Sequence, residues 1–279
     1  MTATDVKLDH AGLALHAIHW APTAESNGRA LLFVHGLGEH AGRYSNVAAY
    51  FTSHGYHCFG FDHQGHGRSD GARGTIRSYE DVVAEINTAR AALAGYVAID
   101  TQVYLWGHSM GGAFTLSYLT TRPEAAGLAG AIVTAPPLQL GDPPGPFVVA
   151  AGRALGRALP NLTKNNELDP NDISRDPGVV SAYIADPLNH DRISLRLGAG
   201  LLTAGEDLLA RPYALPVPTL LMHGSLDRIA HVDGSRAFAN AATGDVTFRV
   251  WDGLSHELHN EPEQAEVFAF AKTWIEQAR

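Results

Sequence analysis

Only one cysteine, Cys58, is present, so the chain cannot close a disulfide on itself. It lies in the apolar run Gly55-Tyr56-His57-Cys58-Phe59-Gly60-Phe61, which reads as a buried strand and casts the thiol as a core group rather than a nucleophile. Positive charge is also in short supply. The 20 Lys and Arg are scattered among 29 Asp and Glu, the formal charge is -9, and no basic face emerges, which argues against nucleic acid as a partner. No apolar run is long enough to cross a bilayer. The stretch Met1-Thr2-Ala3-Thr4-Asp5-Val6-Lys7 lacks the basic and apolar segments of a secretion signal, so a cytoplasmic location is the expectation. The 15 histidines include His54, His57, His63 and His66 in close succession, yet no H-E-x-x-H or comparable spacing occurs, and no metal or other cofactor is expected. Internal repeats and low-complexity tracts are absent, and nothing speaks to oligomeric state.

What the chain has is a regular alternation of short apolar runs with helix-like stretches. Segments 6–8 and 13–20 read as a hairpin at a sheet edge, and the continuously apolar 30–34 as a strand covered on both faces. A helix over 44–53 and a strand over 56–61 follow. Ser78 can cap the next helix, with Glu80 and Asp81 in its first turn and Val82, Val83, Ile86, Ala89 and Leu93 along one face. Further strands are expected at 103–105 and 130–134, with a helix over 113–119 between them. From Leu138 to about Tyr213 the strand signal vanishes, leaving prolines, polar turns and helix-like pieces at 147–159 and 193–210. Strands resume at 218–222 and 246–251, each followed by a helix, at 232–242 and 263–277. This rhythm predicts a mostly parallel sheet with helices on both faces. The interruption reads as a helical lid over the carboxyl edge of the sheet, giving core 1–137, lid 138–213 and core 214–279.

One junction carries chemistry. In Trp106-Gly107-His108-Ser109-Met110-Gly111-Gly112 a strand turns directly into a helix with Ser109 at the apex, and Gly107 and Gly111 are expected to permit the sharp turn. The pentapeptide G-x-S-x-G also arises in ordinary Gly-rich loops; the strand before it and the helix after it favour a nucleophile elbow. The Met110 amide and the first helical turn would then face any negative charge developing beside the hydroxyl. Two other strand ends supply partners, Asp227 in His223-Gly224-Ser225-Leu226-Asp227-Arg228 and His256 in Asp252-Gly253-Leu254-Ser255-His256. The chain order Ser, Asp, His suits a nucleophile, an orienting acid and a base meeting on one rim. Each partner taken singly could be an ordinary loop residue, and Asp252 and His259 are the nearest substitutes. A second oxyanion donor is expected from Leu37 N–H, in the loop Gly36-Leu37-Gly38 after the strand at 30–34, to pair with Met110 N–H.

These residues resemble the monoacylglycerol lipase and lysophospholipase family of serine α/β-hydrolases. The likeness rests on HGLGEHAGRY from His35, DHQGHGRSDG from Asp62, GHSMGG from Gly107, LPNL from Leu159, DPL from Asp186, HGSLDR from His223 and SHELHNE from Ser255. It implies an α/β-hydrolase fold and hydrolysis of a single fatty acyl ester of glycerol. Ser109, Asp227 and His256 fall on the triad positions, and Leu37 and Met110 on the oxyanion positions. It further implies head-group contacts from Glu39, Arg43, His108, Tyr183 and His259, with an ion pair that holds the loop as the competing role for Glu39 and Arg43.

Lid composition fits a lipid ester. Phe147, Val148, Ala151, Leu155, Ala158 and Leu159 form a stripe opposite Arg153 and Arg157, and Leu197, Leu201, Leu202, Leu208 and Leu209 form another. Most of these side chains are expected to pack the lid on the core, leaving a residual apolar face for an acyl chain or for transient contact with a membrane or micelle. A general carboxylesterase or lysophospholipase with the same triad is the nearest rival. A silent scaffold that binds a lipid or hormone-like ligand is the rival from another class.

Overall fold

The computed structural model describes residues 2–141, 145 and 154–278. Its strands are β1 (Thr2–His10), β2 (Leu13–Ala21), β3 (Arg29–Val34), β4 (His57–Phe61), β5 (Gln102–His108), β6 (Gly130–Thr134), β7 (Thr163–Asn165), β8 (Arg192–Ser194), β9 (Thr219–Gly224) and β10 (Val246–Trp251). Eight of them form one sheet in the order β1-β2-β4-β3-β5-β6-β9-β10. The β1–β2 hairpin pairs antiparallel to β4 at one edge, and every other neighbouring pair is parallel. The architecture is that of an α/β-hydrolase.

The continuous apolar runs make the middle of the sheet because each central strand is covered on both faces. Along β3, Leu32 and Val34 enter the core shared with α2 (Tyr79–Leu93) and α3 (Met110–Thr121), where Ile86 and Phe114 meet them. Leu31 and Phe33 point to the opposite face, into the core built with α1 (Ser45–Ser53) and the last helix, Gln264–Gln277, around Phe51, Trp106 and Phe268. Residues two apart thus share a face, as the pleat requires. Cys58 is fully buried. The Ser78 side chain accepts from Asp81 N at 3.0 Å and starts α2 as expected.

Three boundaries differ from expectation. β1 spans nine residues rather than the short piece around Val6, because an edge strand needs only backbone pairing and most of its outer residues are exposed. A 3-10 turn over Ala41–Tyr44, capped by His40, comes before α1, so the α-helix begins at Ser45. The inserted stretch also contains strand. β7 and β8 pair antiparallel, Thr163 opposite Ser194, so Ile193 is a strand residue and the helix starts at Leu195 with Ser194 as its cap. Elsewhere in that stretch Pro177–Ala185 is helical and so is 154–158, whereas the expected stripe residues Phe147, Val148, Ala151 and Arg153 lie outside the described residues. Leu197 and Leu208 are buried in the core against α2 and α3, with Leu201 and Leu209 packed beside them. Among the described residues no helix is long and apolar enough to cross a membrane.

Candidate active site

Ser109 stands between the end of β5 and the first residue of α3 with φ 51° and ψ -120°. Its amide donates to Thr134 O at 2.9 Å and its carbonyl accepts from Ala113 N at 3.0 Å, so neighbouring elements hold a backbone conformation that costs on the order of 1–3 kcal/mol. The left-handed backbone falls on the serine itself, while Gly107 and Gly111 supply room: a Cβ at 107 would come 2.2 Å from Thr115 Oγ1, and one at 111 would come 2.0 Å from Val34 O. The helix can therefore press directly against the ends of β5 and β3.

The structure brings His256 and Asp227 together across 29 residues. His256 Nδ1 donates to Asp227 Oδ2 at 2.7 Å, and Asp227 Oδ1 accepts from the amides of Ile229 and Ala230 at 2.9 and 3.0 Å. His223 Nε2 adds a contact of 3.1 Å to Oδ2. Burial would raise the Asp227 carboxyl, but the charge of His256 and the bonds from His223 and His256 outweigh it and hold the group well below the usual carboxylate range. Burial would likewise lower His256, yet the Asp227 carboxylate dominates and its pKa is raised. The acid is thus ionised and its imidazole is a strengthened base.

Ser109 and His256 line one cavity of about 320 Å³, together with Gly36, Leu37 and His108. Among the described residues no hydrogen bond joins Ser109 Oγ to His256 Nε2; in ligand-free sites such nucleophile–base contacts are often long and close up with substrate. Asp252 and His259 do not replace the pair. Asp252 accepts from Ser225 Oγ, in the loop after β9, at 3.0 Å, and the His259 ring stacks on Tyr44 with neither nitrogen bonded.

Both expected oxyanion donors are available. Among the described residues the amides of Leu37 and Met110 donate to no other group of the chain, and Met110 is the first residue of α3. The Gly36–Leu37 peptide is held from the core side. His35 Nε2 accepts from His63 N at 2.9 Å, so Nδ1 carries the proton and donates to Gly36 O at 2.8 Å, while Gly36 N donates to Glu39 Oε1 at 2.5 Å. A Cβ at Gly36 would sit 2.8 Å from Glu39 Oε1 and 3.3 Å from Ser109 Cβ, so a side chain here would crowd both the anchor of the loop and the nucleophile.

The expected head-group residues divide. Glu39, His108 and Tyr183 line the cavity. Arg43 and His259 are not among its lining residues. Arg43 Nη1 donates to Glu39 Oε2 and Glu257 Oε1 at 2.6 Å each, Nη2 donates to Glu257 Oε2 at 2.7 Å, and the Tyr183 ring covers the guanidinium at 4.7 Å. All its charge is spent on holding the loop, the competing role named above. His259 is fully buried behind His108, their ring centroids 4.8 Å apart, and burial lowers its pKa to about 4. His108 Nδ1 bonds Thr134 Oγ1 at 3.0 Å, and burial beside His256 and His259 keeps the ring neutral.

Glu257 was not singled out from the sequence, although it follows the base directly, lines the cavity and chelates Arg43. A carboxylate beside a basic residue 214 positions away leaves no local signal. The histidine group beneath the loop is also explained by packing. His63 Nδ1 bonds Glu85 Oε2 at 2.7 Å with both side chains fully buried, and His66 lies between His35 and His190.

The family model described as serine aminopeptidase, S33, matches residues 25–263. A monoacylglycerol lipase of Mycolicibacterium smegmatis is 36% identical over 92% of this chain and 90% of its own length. The monoglyceride lipase of Homo sapiens is 33% identical over 95% of this chain and 88% of its own. The crystal structure of Paleococcus ferrophilus monoacylglycerol lipase superposes with a TM-score of 0.82 at 31% identity, covering 94% of this chain and 98% of that one.

Proposed function

The chain belongs to the serine aminopeptidase S33 family of hydrolases, and from that premise we propose that it cleaves the ester bond of monoacylglycerols to free fatty acid and glycerol through an acyl-enzyme. Ser109 Oγ attacks the ester carbonyl while His256 takes its proton, with Asp227 holding the imidazole in the Nδ1–H tautomer. The amides of Leu37 and Met110 receive the negative charge of the tetrahedral intermediate. As that intermediate collapses, His256 returns the proton to the departing glycerol oxygen. Water then attacks the acyl carbonyl as His256 takes one of its protons, and when the bond to Ser109 Oγ breaks His256 returns that proton to the serine and the fatty acid is released, a route that calls for no metal or cofactor. The observation that carries the reading is a serine on a strained elbow that shares one cavity with Leu37 and with His256, itself paired to Asp227, and that has the undonated amide of Met110 next to it in the chain.

The substrate class draws on the relatives, whose names state monoacylglycerol or monoglyceride, and on the cavity wall. Glu39, Asp186, Asp191 and Glu257 line it and, among its described lining residues, there is no Lys or Arg, which suits a neutral glycerol better than a phosphate-bearing head group. Leu37, Leu168, Ile173 and Ile229 offer apolar contact to an acyl chain. We take 138–213 as the cap. Its Leu159, Leu162 and Ile184 are 51%, 50% and 65% exposed, enough apolar surface for transient docking of a cytoplasmic enzyme on a membrane or micelle.

Turnover of glycerol monoesters against methyl esters of the same acids tests the reading. Preference for the glycerol ester at every chain length is the expected result, and equal rates on both would leave a general carboxylesterase instead.

A further inference from the structure

The Leu37 amide sits between two anchors of different origin. Its amino side is pinned from the core, through Gly36 as described. On its carboxyl side the partners come from the cap. Gly38 O accepts from His190 N at 2.9 Å, and His40 Nε2 bonds Asp186 Oδ2 at 2.9 Å. His40 Nδ1 accepts from Gly42 N at 3.2 Å, so Nε2 carries the hydrogen and donates to the carboxylate. Asp186 Oδ1 meanwhile accepts from Leu188 N at 2.9 Å, which fixes the turn that presents Oδ2. Gly38 stands at φ +75°, and a Cβ there would fall 2.2 Å from His190 O, so the two backbones touch with nothing between them. The HGLGEH and DPL motifs, 146 residues apart, are therefore halves of one contact.

We propose that His40 and Asp186 form a clamp by which the cap turn 186–190 aims the Leu37 amide at the oxyanion, making both of them positioning residues for the reaction. The cap then contributes to rate as well as enclosing substrate. With the clamp open, Gly36 stays tied to Glu39 and His35, but Gly38 keeps only its bond from His190 N, on a turn no longer held at Asp186, and the N–H between them loses its aim without unfolding the core. A donor mis-aimed should cost less than a donor deleted, for which the loss is about 10² to 10³ in kcat. A loss of roughly 10-fold to 100-fold follows.

The inference rests on the ester-hydrolase reading, and the test separates the two. His40→Ala, His40→Gln and Asp186→Asn are assayed on a medium-chain monoacylglycerol and against an alkyl trifluoromethyl ketone, whose hemiketal oxyanion needs the same amides. His40→Ala should lower kcat by that factor with KM nearly unchanged and weaken the ketone in proportion. His40→Gln, which keeps a donor facing Asp186, should recover most of the loss. Asp186→Asn, which retains an acceptor for Leu188 N, should show the same split to a smaller extent and decides the matter if His40→Ala is unstable. Unchanged kcat, or a loss confined to KM and melting temperature, overturns the clamp. Hydrolysis that persists in Ser109→Ala overturns the underlying reading instead.

Discussion

The sheet and the cap solve different problems with different kinds of residue. In the sheet, residues 31–34 of β3 are wholly buried, and side chains alternate between two cores, so position is fixed by apolar packing on both faces of the central strands. In the cap, β7 and β8 have three residues each, the helix Pro177–Ala185 buries only Val180, and several large apolar side chains face solvent. Beyond the packing of its helix Leu195–Ala210 on α2 and α3, what fixes the cap near the site is a set of polar contacts: the Tyr183 ring on Arg43, Glu257 N on Ile173 O, Arg175 on Glu261, His190 N on Gly38 O and His40 on Asp186. Rigid burial suits atoms that must keep their place through the reaction, and sparse polar attachment suits walls that must admit a substrate.

The sharpest way to break that contrast is to alter the sheet edge. Asp227→Asn should fold normally and lose about 10⁴ in kcat, since the wrong imidazole tautomer is then favoured. The pH profile gives the sign. Neutral His256 is the base and Asp227 raises its pKa above the ordinary 6.5, so kcat/KM in the native protein should climb with pH through an inflection above that value. In the Asn variant the residual activity should show a lower inflection. A mild effect of the substitution would remove Asp227 from the mechanism.

Stability should separate the two regions next. Phe114, on the elbow helix and fully buried between His63 and Tyr79, should cost about 3–5 kcal/mol as Phe114→Ala in urea denaturation. Leu159→Ser in the cap should change stability by about 0.5 kcal/mol or less, because half of that side chain already faces solvent. The same variant should sediment less with phospholipid vesicles. Comparable destabilisation at both sites would erase the distinction.

The contrast also explains what the sequence made legible. Burial on both faces writes itself as apolar runs, so the strands 30–34 and 130–134 could be read locally, and the loops bearing Ser109, Asp227 and His256 follow strand ends. Three-residue strands are too short to establish a period, which is why β7 and β8 went unseen and Ile193 was read as helical. A motif records that Arg43 and His259 matter and leaves open what they touch; in the fold Arg43 bonds two carboxylates, and the His259 ring packs against His108. Glu257 and the His40–Asp186 contact depend on segments 214 and 146 residues apart, a relation that only the fold supplies.

Active-site labelling tests the central claim most directly, that one serine at the sheet edge is made reactive by His256, Asp227 and two backbone amides. Intact-protein mass spectrometry after treatment with a fluorophosphonate should find a single adduct, mapped by peptide analysis to Ser109, and Ser109→Ala should remain unlabelled. No adduct on the folded native protein, or an adduct on any other residue, would contradict it.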